Sequence, residues 1–118
     1  MESILTSVKK YCGIAEEYTH FDNDLIMHIN SVLFVLTQLG VGPSNGFTIG
    51  DKYAKWTDLV DEGQLEAVKS YVCMKVRLIF DPPQSSTHIE AMKNLINEFE
   101  WRLNITVDPG EEEIQNGV

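Results

Sequence analysis

Two consecutive prolines divide the strongest helical signal in the chain. Residues 65–103, LEAVKSYVCMKVRLIFDPPQSSTHIEAMKNLINEFEWRL, carry helical periodicity on both sides of Asp81-Pro82-Pro83. Proline has no amide hydrogen to give to a helix ladder and pushes the residue before it out of the helical region, so the first run ends at Phe80-Asp81. With so short a connection the second run folds back beside the first as an antiparallel helical hairpin. On the first run Leu65, Val68, Tyr71, Val72, Val76, Leu78, Ile79 and Phe80 cover most of the circumference, which predicts the most buried helix of the domain. On the second, Ile89, Met92, Ile96, Phe99 and Leu103 recur at alternating spacings of three and four, a narrow seam facing a partner helix. Asp61 with Gln64, and Thr87 with Glu90, are placed to cap the two starts.

Upstream, Ile4, Leu5, Val8 and Tyr11 or Cys12 mark a short helix from Glu2 to Cys12, stopped by Gly13. At about three turns it must lay an apolar edge on something else. Thr19 and Asp22 resemble a capping pair for a longer helix from Asp22 to Leu39. There Leu25, Ile29, Val32, Leu36 and Leu39 form one stripe, which Ile26, Leu33 and Val35 widen. A stripe that wide predicts cover on more than one side, from the rest of the domain or partly from a neighbouring molecule. Gly40-Val41-Gly42-Pro43 ends it. From Pro43 to Gly63 helical periodicity disappears, and Phe47, Ile49, Tyr53 and Trp56 are candidates for a small β-hairpin turning at Gly50-Asp51. Loops this long inside a compact domain often exist to touch something, so Trp56 is the better candidate for an intermolecular anchor, while Trp101, next to the seam, caps the core.

A chain of 118 residues suits one domain with one core. The fold class expected is mainly α: a small antiparallel bundle of about four helices, a long loop between the second and third, and a flexible C-terminal tail. Residues 1–105 form the single helical domain and 106–118 the acidic tail, which has no core-forming pattern. No apolar run approaches the roughly 18 residues that cross a bilayer. Met1-Glu2-Ser3 lacks the basic start and apolar block of a secretory signal, which predicts a protein that stays in the cytosol where it is made.

The net charge of -9 is unevenly placed. Acidic residues outnumber basic ones 9 to 4 over residues 1–62 and 4 to 0 over residues 106–118, but balance at 5 each over residues 63–105. Duplex DNA requires a basic footprint that this composition lacks. A helix-turn-helix regulator, the alternative from another class, would have to use Lys69, Lys75 and Arg77, which at about 100° per residue spread round their helix. His28 with Asp24 is one pair where a metal needs three or four ligands, and a solvated helix face reads better. Cys12 and Cys73 are too few and too far apart for a disulfide framework or a zinc site and read as reduced packing residues. Gly40-x-Gly42 follows a helix and completes no phosphate-binding fingerprint. Glu111-Glu112-Glu113 reads as a solvated terminal run. No catalytic constellation, metal set or cofactor site is found, which favours an interaction or structural protein over an enzyme.

Residues 65–104 resemble the corresponding part of the small head-to-tail connector proteins of long-tailed bacteriophages and their prophages. DNDLIMHINSVLFVLTQLGVGPSNGF, residues 22–47, resembles that family too, as do the pieces Gln38-Leu39-Gly40-Val41-Gly42 and Phe80-Asp81-Pro82-Pro83. The resemblance implies a mostly helical virion protein that assembles, as a ring of about a dozen copies, under the portal at the capsid vertex after DNA packaging. It would extend the channel and offer a platform to a stopper or tail-completion protein. The partners implied are further copies of the chain, the portal and the tail-side protein. DNA would pass through without sequence-specific binding, past acidic walls that repel phosphates. The resemblance also implies two contact elements: a ring or partner loop with Phe47, Ile49, Tyr53 and Trp56, and a portal-docking C-terminal segment with Asn104, Ile105, Val107 and Ile114.

Overall fold

The computed structural model describes residues 2–107 and forms five helices: α1 (Ile4–Tyr11), α2 (Asp22–Gln38), α3 (Trp56–Leu59), α4 (Glu62–Phe80) and α5 (Ser86–Val107). Their ends follow from the residues that stop them. After α1, Gly13 (φ 77°) donates its N–H to Lys10 O and Ile14 donates to Lys9 O, 3.1 and 2.8 Å. After α2, Gly40 (φ 86°) and Val41 donate in the same way to Thr37 O and Leu36 O, 3.0 and 2.9 Å. Both are left-handed turns that tie off the last helical carbonyls, a conformation glycine adopts without a Cβ penalty. At Asp81 the backbone turns out of the helical region (φ -147°, ψ 68°), and the two prolines prevent resumption.

The starts differ from the sequence expectation. Ser3 caps α1, its Oγ accepting from Thr6 N at 3.0 Å. Thr19 does not cap α2 with its side chain; its backbone oxygen takes the Asp22 N–H, and the Asp22 carboxylate lies 2.9 Å from Lys9 Nζ. Asp61 precedes α4 without a side-chain cap. For α5 the hydroxyl at the start is that of Ser85, which accepts from His88 N at 3.3 Å, two residues earlier than a Thr87–Glu90 box would sit.

Helix α4 is the central element, with α1, α2, α3 and α5 all packed on it. The α4–α5 pair is the antiparallel hairpin that the prolines imply. Tyr71 O–H donates to Glu100 Oε2 at 2.7 Å, and Lys75 Nζ donates to the same oxygen at 3.1 Å. Met92, Ile96 and Leu103 form the buried seam of α5, with Phe99 packed against it. Helix α2 runs antiparallel to α4 on another side: Phe21, just before α2, meets Phe80 edge to face at 5.3 Å. Thus α2 and α5 flank α4 and point the same way, meeting at their C-terminal ends where Asn104 Nδ2 donates to Leu39 O at 3.2 Å.

The short α1 is more enclosed than a three-turn edge helix. Ile4 through Val8 and even Lys9 are buried, six of its eight residues, so α1 rather than α4 is the helix most completely covered for its length. Thr6, Ser7 and Lys9 mark a solvent face by type, yet each polar atom has a partner. Ser7 Oγ donates to Glu2 and accepts from the Trp56 indole N–H at 2.9 Å. Lys9 Nζ donates to Glu16 O at 2.7 Å and pairs with Asp22, which holds the 13–21 connection over α1. A lysine with a 3% exposed side chain persists only with such pairing.

No β-hairpin forms at Gly50-Asp51; among the described residues the one extended pairing is an isolated antiparallel bridge between Ser3 and Lys55. The backbone groups that a hairpin ladder would use are taken by other elements. Asn30 on α2 accepts from Ile49 N at 2.8 Å and donates to Ile49 O at 3.0 Å. Ala54 O accepts from Ile4 N at 2.9 Å, and Asp51 Oδ1 turns the chain by accepting from Tyr53 N at 2.9 Å. The segment then closes with the single turn of α3, where Asp58 Oδ2 accepts from Lys55 N at 2.9 Å.

Candidate assembly surface

A protein that works by docking should carry side chains that its own fold leaves without cover. Of the four loop residues the sequence singles out, Ile49 and Trp56 are core residues, 4% and 0% exposed. The indole of Trp56 points inward to Ser7 on α1, so it does not stand ready for a partner. Phe47 is half-buried and packs against the core. Tyr53 is the exposed one, at 71%, beside Lys52, whose ammonium lies 5.5 Å from its ring. In the C-terminal set, Asn104 anchors α5 to the end of α2, while Ile105 and Val107 fall inside α5, which runs past the boundary expected near residue 105. Ile114 and the acidic run Glu111-Glu112-Glu113 lie outside the described residues.

Trp101, expected to cap the core, is 64% exposed. With Asn94 and Asn97 it shares the outer line of α5 at spacings of three and four, turned away from the Met92-Ile96-Leu103 seam. A matching line runs along α2: Met27 and Phe34 are 59% and 62% exposed, and with Ser31 and Gln38 they recur at four, three and four, opposite the buried stripe. Phe34, Thr37, Asn30 and the 44–48 segment, Phe47 included, line a cleft of about 390 Å³. The sequence did carry a signal for this face. Between Leu25 and Gly50 there is no Asp, Glu, Lys or Arg, in a chain of net charge -9.

Several ionisable groups are spent on structure. Burial pushes the Cys12 thiol up to about 11 and the Cys73 thiol up to about 12, so neither is a thiolate nucleophile near neutral pH. The Tyr71 hydroxyl is raised as well, first by burial and then by its bond to Glu100. Of the basic residues on α4, Lys75 pairs with Glu100 and the Arg77 guanidinium lies 5.7 Å from the Tyr11 ring. Near Lys69, the Glu2 carboxylate is held below its usual range, mainly by its hydrogen bonds from Lys10 and Ser7. Among the described residues no group of three or more His, Cys, Asp and Glu side chains could hold a metal ion. No helix among them is long and apolar enough to cross a membrane.

The family described as phage connector protein covers residues 4–110, a span that takes in all five helices and both outer lines. No curated protein and no solved structure matches the chain.

Proposed function

The chain belongs to the phage connector protein family, a family of virion components, and from that membership we propose that it is a head-to-tail connector subunit: copies assemble as a ring under the portal after DNA packaging and present a platform to the stopper or tail. The family match over residues 4–110 carries the reading. The fold supports it in kind. A helical body with internal ion pairs such as Lys9–Asp22 and Lys75–Glu100, and with large apolar side chains left outside, suits a protein whose work is ordered docking.

The acidic excess suits a channel wall past which DNA moves without adhering, since like charge repels phosphate. The C-terminal segment from Asn104 onward, with Ile105, Val107 and Ile114, is the proposed portal contact, and the loop tip at Tyr53 a proposed contact for a neighbour or tail-side protein. Residues 2–107 form the helical body in this reading, with the remaining C-terminal residues as its docking extension.

Truncation after Val107 tests the portal contact. It leaves α5 and the Asn104–Leu39 bond in place, so the melting temperature should stay within a degree or two of the full chain, equivalent to about 0.5 kcal/mol or less. Binding to portal-containing heads, read by co-sedimentation, should be lost. Retained binding would remove Ile114 and the other residues after Val107 from the account and leave Asn104, Ile105 and Val107 to carry the contact.

A further inference from the structure

We propose that neighbouring copies join head to tail by seating Trp101 of one copy in the cleft between Phe34 and Phe47 of the next. This inference rests on the ring reading above and names the residues that would make its contact. The first support is electrostatic. Each copy brings a net charge of -9, so most of its surface opposes the approach of another copy. The outer line of α2 and the 43–48 segment hold no charged residue, while Trp101 on α5 stands beside the ion-paired Glu98 and Arg102. The uncharged cleft lets the α5 face of another copy approach without setting like charges against each other.

The second support is position. A contact that propagates round a ring joins two different faces of the same molecule. The α2 line and the α5 line lie on separate helices that flank α4, each opposite its own buried seam, so one can engage the preceding copy while the other engages the next. The third is shape and chemistry. Trp101 is 64% exposed, a large cost in unburied apolar area unless something covers it. The cleft offers about 390 Å³, two aromatic walls for the indole, and the side-chain oxygens of Ser44, Asn45 and Thr48 as acceptors for its N–H. An aromatic anchor in a pocket, ringed by polar groups that exclude water, is the usual centre of an interface.

Sedimentation of the purified full chain over a concentration series, alone and with its portal, tests this through Trp101→Ala and Phe34→Glu. Both positions are exposed, so circular dichroism and melting should match wild type. Each variant should weaken association at least about 30-fold. Mixed in equal amounts, the two variants retain one intact junction, the Trp101 of the Phe34→Glu copy in the cleft of the Trp101→Ala copy. They should therefore form a pair that does not grow. Wild type that associates while both variants associate equally overturns the junction and leaves the ring reading standing. Variants that are monomeric alone and remain so when mixed also overturn the pairing of these two sites. Wild type that stays monomeric at every concentration and on the portal overturns the ring reading, and the junction with it.

Discussion

The segment from Pro43 to Val60 has one turn of helix, yet it buries Ile49, Trp56 and Leu59; α5 is a helix of 22 residues, yet it leaves Trp101 in solvent. Regularity and commitment to the core are thus separate properties in this molecule. The irregular segment is fixed by bonds from distant elements, Asn30 to Ile49 and Ser7 to Trp56, and serves as a wall of the core. The regular hairpin is fixed by one narrow seam and the bonds of Glu100 to Tyr71 and Lys75, so much of the circumference of α5 is free for contacts outside the chain.

The pair of tryptophans offers the largest test of that contrast. Trp56→Ala removes a fully buried indole and its bond to Ser7, and should cost about 3–5 kcal/mol in urea unfolding. Trp101→Ala should change the stability of the isolated chain by about 0.5 kcal/mol or less. Similar costs at the two sites would break the contrast. Asn30→Ala comes next: it leaves the buried backbone N–H and C=O of Ile49 without partners, for a loss of about 1–3 kcal/mol. Hydrogen exchange should quicken at the Ile49 amide before it quickens in α5. If α5 exchanges first, the 43–60 segment is not held as described.

The smallest effect concerns the fastening of the N-terminus. Glu2 is lowered from its usual value of 4.5, chiefly by the bond from Lys10, so the folded state favours the carboxylate. Its contribution is present above that value and is lost as pH falls through the lower folded value. The side chain is partly exposed, which limits the contribution to a few tenths of a kcal/mol. The stability difference between wild type and Glu2→Gln should therefore shrink between neutral pH and about pH 3, as read by thermal melts. A difference that grows on acidification would contradict the sign.

Much of the fold is legible in the sequence because periodic burial leaves periodic residues. The α2 stripe and the α5 seam follow from spacing, and the stop at Asp81-Pro82-Pro83 from the chemistry of proline. What escapes is burial through polar atoms. Thr6, Ser7 and Lys9 make α1 read as an edge helix, since nothing local announces that Trp56, Glu2, Glu16 and Asp22 will satisfy them. The same holds for the 43–60 segment, whose partners lie 19 residues away at Asn30 and 49 away at Ser7. For the outer surface the reverse error arises at Trp101, which lies beside a seam and so reads as core, while Phe34 falls outside the α2 stripe. Their register places them opposite the buried stripes. The absence of charge from Leu25 to Gly50 is the one feature in the sequence that sets that surface apart.

Electron microscopy of the purified chain mixed with its portal tests the connector role most directly. The account predicts a closed ring of copies coaxial with the portal, on its tail-facing side, extending the channel. A portal that emerges bare at saturating protein, or one decorated by scattered single copies with no closed ring, would contradict it.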